Sequence, residues 1–165
     1  MAASLTHLAL HVRDLDACID FYTSYADMHL VHDRVSGSKR VVWLAEKEKE
    51  INFILVLIPG GPGRVQSAED FSHLGFALAT RDAVDAVAER AKIAGILEWT
   101  PRDEPYPVGY YCGVKDPDGN FIEFSYGQPL GPGASLQPPD VISRSLQVKD
   151  RVAGATFLLI HGDRV

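Results

Sequence analysis

The chain has 165 residues, 46% apolar and 23% charged, with a formal net charge of −6. That balance fits a soluble globular protein with a core of useful size, in one domain or two fused small ones. Its acidity and lack of a basic stripe argue against nucleic acid as a partner, and its longest apolar run, Phe53 to Ile58, is far too short to span a membrane.

The two cysteines, Cys18 and Cys112, fit a reducing compartment without a disulfide framework. Met1-Ala2-Ala3-Ser4 does not read as a signal peptide, so the cytoplasm is the expected location. Leu5–Val12 alternates as a strand, with Leu8, Leu10 and Val12 on one face and His7, Ala9 and His11 on the other. Asp14 or Asp16 can cap the helix that follows, whose apolar positions are Leu15, Cys18, Ile19 and Tyr22. His29–Val35 and Arg40–Ala45 read as strands around a Ser36-Gly37-Ser38 turn. His29 and His32, three apart on such a strand, are expected to face opposite ways. Residues 46–50 form a charged tip, and Ile51–Ile58 a buried strand. Pro59-Gly60-Gly61-Pro62-Gly63 then opens a linker that runs to about Asp70.

The same order recurs. His73–Thr80 is a strand, and Thr80 or Asp82 can cap a helix with Val84, Val87, Ala88 and Ala91 on one stripe. Gly95 fits the position just past its end. Ile96–Thr100 and Gly109–Lys115 are strands separated by a Pro-rich loop, Pro101–Pro107. Asp116-Pro117-Asp118-Gly119 is a turn, and Asn120–Tyr126 the last strand. Beyond Gly127 the composition shifts to Pro and Gly, and Ala155–His161 is apolar enough to be a strand or to pack on a neighbour.

The recurrence extends to individual residues. LTHLALHV at 5–12 matches FSHLGFAL at 71–78, and Asn52-Phe53-Ile54-Leu55 is echoed by Asn120-Phe121-Ile122-Glu123. The offsets are 73 − 7 = 66 and 120 − 52 = 68, so one β-α-β-β-β unit is used twice. The expected fold is α+β: modules at 5–58 and 71–127 forming a curled mixed sheet, with a linker at 59–70 and a tail at 128–165. Ala9 beside His7 and Gly75 beside His73 leave room for a pocket. Glu123 stands among aromatic residues, where an unpaired carboxylate costs roughly several kcal/mol to bury unless it gains a cation. A single half-buried histidine is usually a packed residue; repetition is what singles out His7 and His73. Two imidazoles and one carboxylate suit Fe(II), Mn(II), Zn(II), Co(II) or Ni(II).

The run His-Leu-Ala-Leu-His-Val-Arg-Asp-Leu-Asp from His7, then Asp20-Phe21-Tyr22, Ser72-His73-Leu74 and Lys115-Asp116-Pro117-Asp118-Gly119-Asn120 leading to Glu123, resembles the vicinal oxygen chelate superfamily. That superfamily includes glyoxalase I, bleomycin- and fosfomycin-resistance proteins and extradiol dioxygenases. The resemblance covers about residues 5–127 and is specific to the superfamily, not to one activity. It implies paired modules curled around a divalent metal held by His7, His73 and Glu123. It also implies a small substrate bound through two adjacent oxygens, and a homodimer whose ligands come from one chain or from two.

Departures from the pattern narrow the chemistry. Glyoxalase I draws a further ligand from the last strand of its first module; the repeat assigns that place to Leu55, which cannot ligate. The remaining 2-His-1-carboxylate set is that of non-haem Fe(II) oxygenases, which favours Fe(II) and dioxygenase-type chemistry. However, Gly113 stands where extradiol enzymes carry a tyrosine, and no histidine lies between His73 and His161. Ala9 and the acidic loop from Arg102 to Pro107 depart from the fosfomycin transferases. The alternatives are a glyoxalase-like lyase or isomerase and a non-catalytic, resistance-type binding protein. His11, on the His7 face, is a candidate catalytic base, with packing as its bland role.

Overall fold

A computed structural model describes residues 3–134, apart from 38, 48, 49, 51 and 68; the stretch Ala155–His161 lies outside the described residues. Its elements are β1 (His7–Val12), α1 (Leu15–Tyr25), β2 (Met28–Ser36), β3 (Lys39–Glu46), β4 (Ile54–Pro59), β5 (His73–Ala77), α2 (Arg81–Ile93), β6 (Leu97–Glu104), β7 (Gly109–Lys115) and β8 (Phe121–Tyr126). They form two four-stranded mixed sheets, ordered β1-β4-β3-β2 and β5-β8-β7-β6. In each, the first strand runs parallel to the last and the other pairs are antiparallel. The repeated α+β architecture is therefore present, as two open sheets and not as one continuous sheet.

Local chemistry accounts for the helix starts. Asp14 accepts from the Ala17 backbone N–H at 3.0 Å, and the Thr80 hydroxyl accepts from Ala83 at 3.1 Å. Each cap is worth about 1 kcal/mol. Leu15, Cys18, Phe21 and Tyr22 of α1 are buried, as are Val84, Ala88 and Ala91 of α2. They share one core with Leu44, Leu55 and Leu57 from the first sheet and Val114, Ile122 and Phe124 from the second. Aromatic contacts cross between the halves: Tyr22 meets Phe76 at 6.4 Å, and Tyr25 meets Phe124 at 6.5 Å. Completely burying one such side chain contributes about 1.5–3 kcal/mol. The helices and this shared core thus cover one face of each sheet. The faces carrying His7 and His73 point away from it.

Three expectations are corrected by strand pairing. The segment Pro101–Pro107 is not all loop, because β6 continues through Pro101 to Glu104. Proline is tolerated there because β6 is an edge strand and its pairing with β7 shifts register between Leu97 and Arg102. His29 and His32 do not face opposite ways: a bulge between Leu30 and His32 sets them against Ala45 and Trp43, two apart on β3, and so on one face. The third correction concerns Leu55. Ile54 pairs with His7, and Phe121 pairs with His73, so the offset between the closing strands is 121 − 54 = 67. The counterpart of Glu123 is therefore Val56 (123 − 56 = 67), opposite Ala9 as Glu123 is opposite Gly75. Leu55, 2% exposed, faces the core. A one-residue slip exchanges the faces, yet neither residue can ligate.

Candidate metal centre

The second sheet builds most of the site. Glu123 lies between Gly75 of β5 and Gly113 of β7, and His73 stands two residues before Gly75 on the same face. The His73 Nε2 to Glu123 Oε2 distance is 3.5 Å. Both side chains are held from behind. His73 Nδ1 lies 2.7 Å from the Phe71 carbonyl oxygen, which can only accept, so Nδ1 carries the proton and donates it. Nε2 is therefore the ring nitrogen left facing the carboxylate. Gln128 donates to Glu123 Oε1 at 3.0 Å, leaving Oε2 as the oxygen nearer the imidazole.

A carboxylate oxygen this close to a ring nitrogen calls for positive charge between the two. A second proton on the imidazole would meet the need as a simple ion pair. A cation would also meet it, since two bonds of about 2.1 Å to one ion span roughly the observed gap. Glu123 is 7% exposed, and its partners among the described residues are the neutral amide of Gln128 and the imidazole of His73. The donor set therefore fits a divalent metal, with the carbonyl–histidine contact acting as the outer support that metal-bound histidines use.

Trp99 closes one side. Its ring stands edge-on to His73 at 5.8 Å and to Phe121 at 5.1 Å. A Cβ on Gly113 would lie 2.1 Å from the Trp99 ring, so the indole fills the space where a tyrosine was the family expectation. These groups belong to a cavity of about 480 Å³ that Arg102 and Tyr111 also line.

His7 lies elsewhere. It lines a second cavity of about 430 Å³ on the first sheet, with Thr6, Ala9, Trp43, Ile54, Val56 and Ile58. Its Nδ1 is 3.0 Å from the Thr6 hydroxyl, which can accept from it and leave Nε2 free, as at His73. Among the described residues, no three His, Cys, Asp or Glu side chains converge within one chain. A single chain thus brings together His73 and Glu123 but not His7. His11 shares the His7 face, yet four residues of strand rise put it about 13 Å further along, outside the residues lining that cavity. Its neighbour is the linker: a Cβ at Gly60 would lie 3.7 Å from His11 Nε2.

Arg102 and Gln128 were not singled out by the sequence. Gln128 follows Gly127, whose φ of 85° turns the chain back over the strand end. Only the glycine hinted at that. Arg102 sits in a segment expected to be loop.

The Glyoxalase/Bleomycin resistance protein/Dioxygenase superfamily model matches residues 4–124. Over 138 residues the chain is 57% identical to the uncharacterized protein PA2024 of Pseudomonas aeruginosa, covering 84% of this chain and 99% of that one. A possible glyoxalase from Bacillus cereus is 26% identical, with a TM-score of 0.56 over 75% of this chain and 99% of that one. FosX, a fosfomycin resistance protein from Listeria monocytogenes solved with Mn(II) and 1S,2S-dihydroxypropylphosphonic acid, shares the fold at 17% identity. Its TM-score is 0.60, over 76% of this chain and 92% of its own.

Proposed function

The chain belongs to the Glyoxalase/Bleomycin resistance protein/Dioxygenase superfamily, and from that membership we propose that it is a metal-dependent enzyme acting on a small substrate with two adjacent oxygens. His73 and Glu123 of one protomer and His7 of the partner subunit hold the metal in a homodimer. The observation that carries this reading is the convergence of His73 Nε2 and Glu123 Oε2, 3.5 Å apart and each side chain fixed from behind. Its missing third ligand faces a separate open cavity. Two-fold pairing of first-half face on second-half face would complete two equivalent sites at once.

When bound, the cation supplies Lewis-acid polarisation of the substrate oxygens or, as Fe(II), activation of O2 at its open positions. Three protein donors and an apolar Val56 in the fourth place favour the dioxygenase-type reading over a glyoxalase-like lyase. The chain's own residues do the positioning. The Phe71 carbonyl fixes the His73 tautomer, Gln128 orients Glu123, and Trp99 shields the imidazole edge from water. His11, at the outer end of β1, serves as a base only for a substrate that extends that far. The apolar lining around His7 supports one alternative, a binding protein that holds a hydrophobic molecule without turnover.

The test is complementation. Protein purified without chelator is expected to carry about one divalent metal per protomer, and His7→Ala and His73→Ala homodimers to carry none. A heterodimer of His7→Ala with His73→Ala concentrates both defects in one site and leaves the other intact, so it should recover one metal per dimer. Full metal in the His73→Ala homodimer, or none in the heterodimer, contradicts the assignment. Iron with substrate-dependent O2 uptake supports the dioxygenase reading; binding lost on metal removal without any turnover supports the binding protein.

A further inference from the structure

We propose that Arg102 is a carboxylate clamp in this site, so that the substrate is a planar, ring-sized acid whose anionic group lies about one ring's length from its two adjacent oxygens. The inference rests on the reading of His73 and Glu123 as metal ligands.

Strand pairing locates the clamp. Glu123 is opposite Gly113, and Trp99 is opposite Gly113 on its other side; one row along, Ser125 is opposite Tyr111, and Arg102 is opposite Tyr111. Arg102 is therefore two strands across and one pleat along from Glu123. With strands about 4.8 Å apart and a rise of about 3.3 Å per residue, the two Cα atoms are about 12 Å apart. Both side chains leave the same face and stand roughly perpendicular to the sheet, so guanidinium and carboxylate keep about that spacing, which one metal-bound six-membered ring bearing a carboxylate spans.

Charge accounting isolates Arg102. Glu98, on the same cavity wall, is paired with Lys115 at 2.7 Å. Asp103, the next residue, is paired with Arg81 at 2.9 Å. Glu123 is engaged by Gln128 and His73. Within one chain Arg102 has no carboxylate partner among the described residues; its guanidinium lies 5.8 Å from the Tyr111 ring centroid, at the outer limit of a cation–π interaction. The cavity thus presents one uncommitted cation beside flat aromatic surface from Trp99, Tyr111 and Phe71. A single guanidinium fork matches a planar carboxylate through two parallel N–H···O bonds. A phosphoryl dianion calls for more than one such cation, and this wall offers one. Glu123 does not satisfy the arginine: its nearest polar groups are the Gln128 amide at 3.0 Å and His73 Nε2 at 3.5 Å, and it stands two strands away.

The experiment compares 3,4-dihydroxybenzoate with catechol on the full-length, Mn(II)-loaded protein without oxygen, reading tryptophan fluorescence. Wild type is expected to bind the acid about tenfold more tightly. Arg102→Gln should bring the ratio to about one while catechol affinity and Mn(II) stoichiometry stay unchanged, and Arg102→Lys should give an intermediate ratio. No preference in wild type, or a preference surviving in Arg102→Gln, overturns the clamp. If the wild type takes up no Mn(II), the metal reading fails, and benzoate against phenol on the metal-free protein then decides the clamp alone. An Arg102-dependent preference for benzoate upholds it, and equal binding overturns it.

Discussion

Replacing Tyr22 with phenylalanine tests a fully buried polar link between the two halves. Tyr22, on α1, is fully buried and donates its hydroxyl to Asp116 Oδ2 at 2.8 Å; Asp116, at the β7–β8 turn, is 4% exposed. A hydrogen bond to a charged group contributes about 1.5–3 kcal/mol net. Phenylalanine keeps the ring, so the edge-on contact with Phe21 at 5.1 Å and the contact with Phe76 persist, and packing loss is near zero. Asp116 also keeps its other donors, the backbone N–H groups of Asp118 and Asn120 and the Asn120 side-chain amide. The expected cost is therefore at the low end, about 1.5–2 kcal/mol, lowering Tm by roughly 3–8 °C. Urea unfolding should show a lower midpoint with an unchanged slope. In an Asp116→Ala background, which orphans the hydroxyl, the same substitution should cost almost nothing, giving a coupling of about 1–2 kcal/mol in a double-mutant cycle. A cost below about 0.5 kcal/mol, or strict additivity in the cycle, would refute the reasoning.

Other outcomes follow from the same geometry. Gly113→Ala puts a Cβ 2.1 Å from the Trp99 ring, so it should destabilise by about 1–3 kcal/mol and shift tryptophan emission, as the indole leaves His73. Gln128→Leu removes the donor to a buried carboxylate and is expected to weaken Mn(II) binding about tenfold, read by titration; unchanged affinity would show that Glu123 needs no orienting partner. His11→Ala should leave metal stoichiometry intact, as measured by elemental analysis. Burial, helped by Asp116 near Cys18 and by Asp85 near Cys112, pushes both thiols from 9.0 up to about 12, and burial with Asp116 also raises Tyr22. Below pH 9 the thiols are neutral in both states. Above it the unfolded chain ionises first, so stability should fall as pH rises from about 9 toward 12. Urea midpoints across that range test this, and a Cys18→Ala/Cys112→Ala variant should show a shallower decline.

The residue pattern alone determined much of the architecture. Alternation and helical periodicity located strands and helices, each helix start was narrowed to two candidate caps of which the structure uses Asp14 and Thr80, and repetition of a histidine-headed strand disclosed the doubled module. Such signals are local: a side chain's face follows from its own neighbours along the chain. Partner strands decided the rest. A bulge in β2 reversed the relation between His29 and His32, an edge position allowed Pro101 into β6, and a one-residue difference in pairing moved the counterpart of Glu123 from Leu55 to Val56. Register depends on groups distant in sequence, and a slip of one exchanges faces. The separation of His7 from His73 and Glu123 has the same origin. Both helices and a shared aromatic core cover the inner faces of the sheets, so the faces carrying His7 and His73 are left open, and only packing of the whole chain could reveal that.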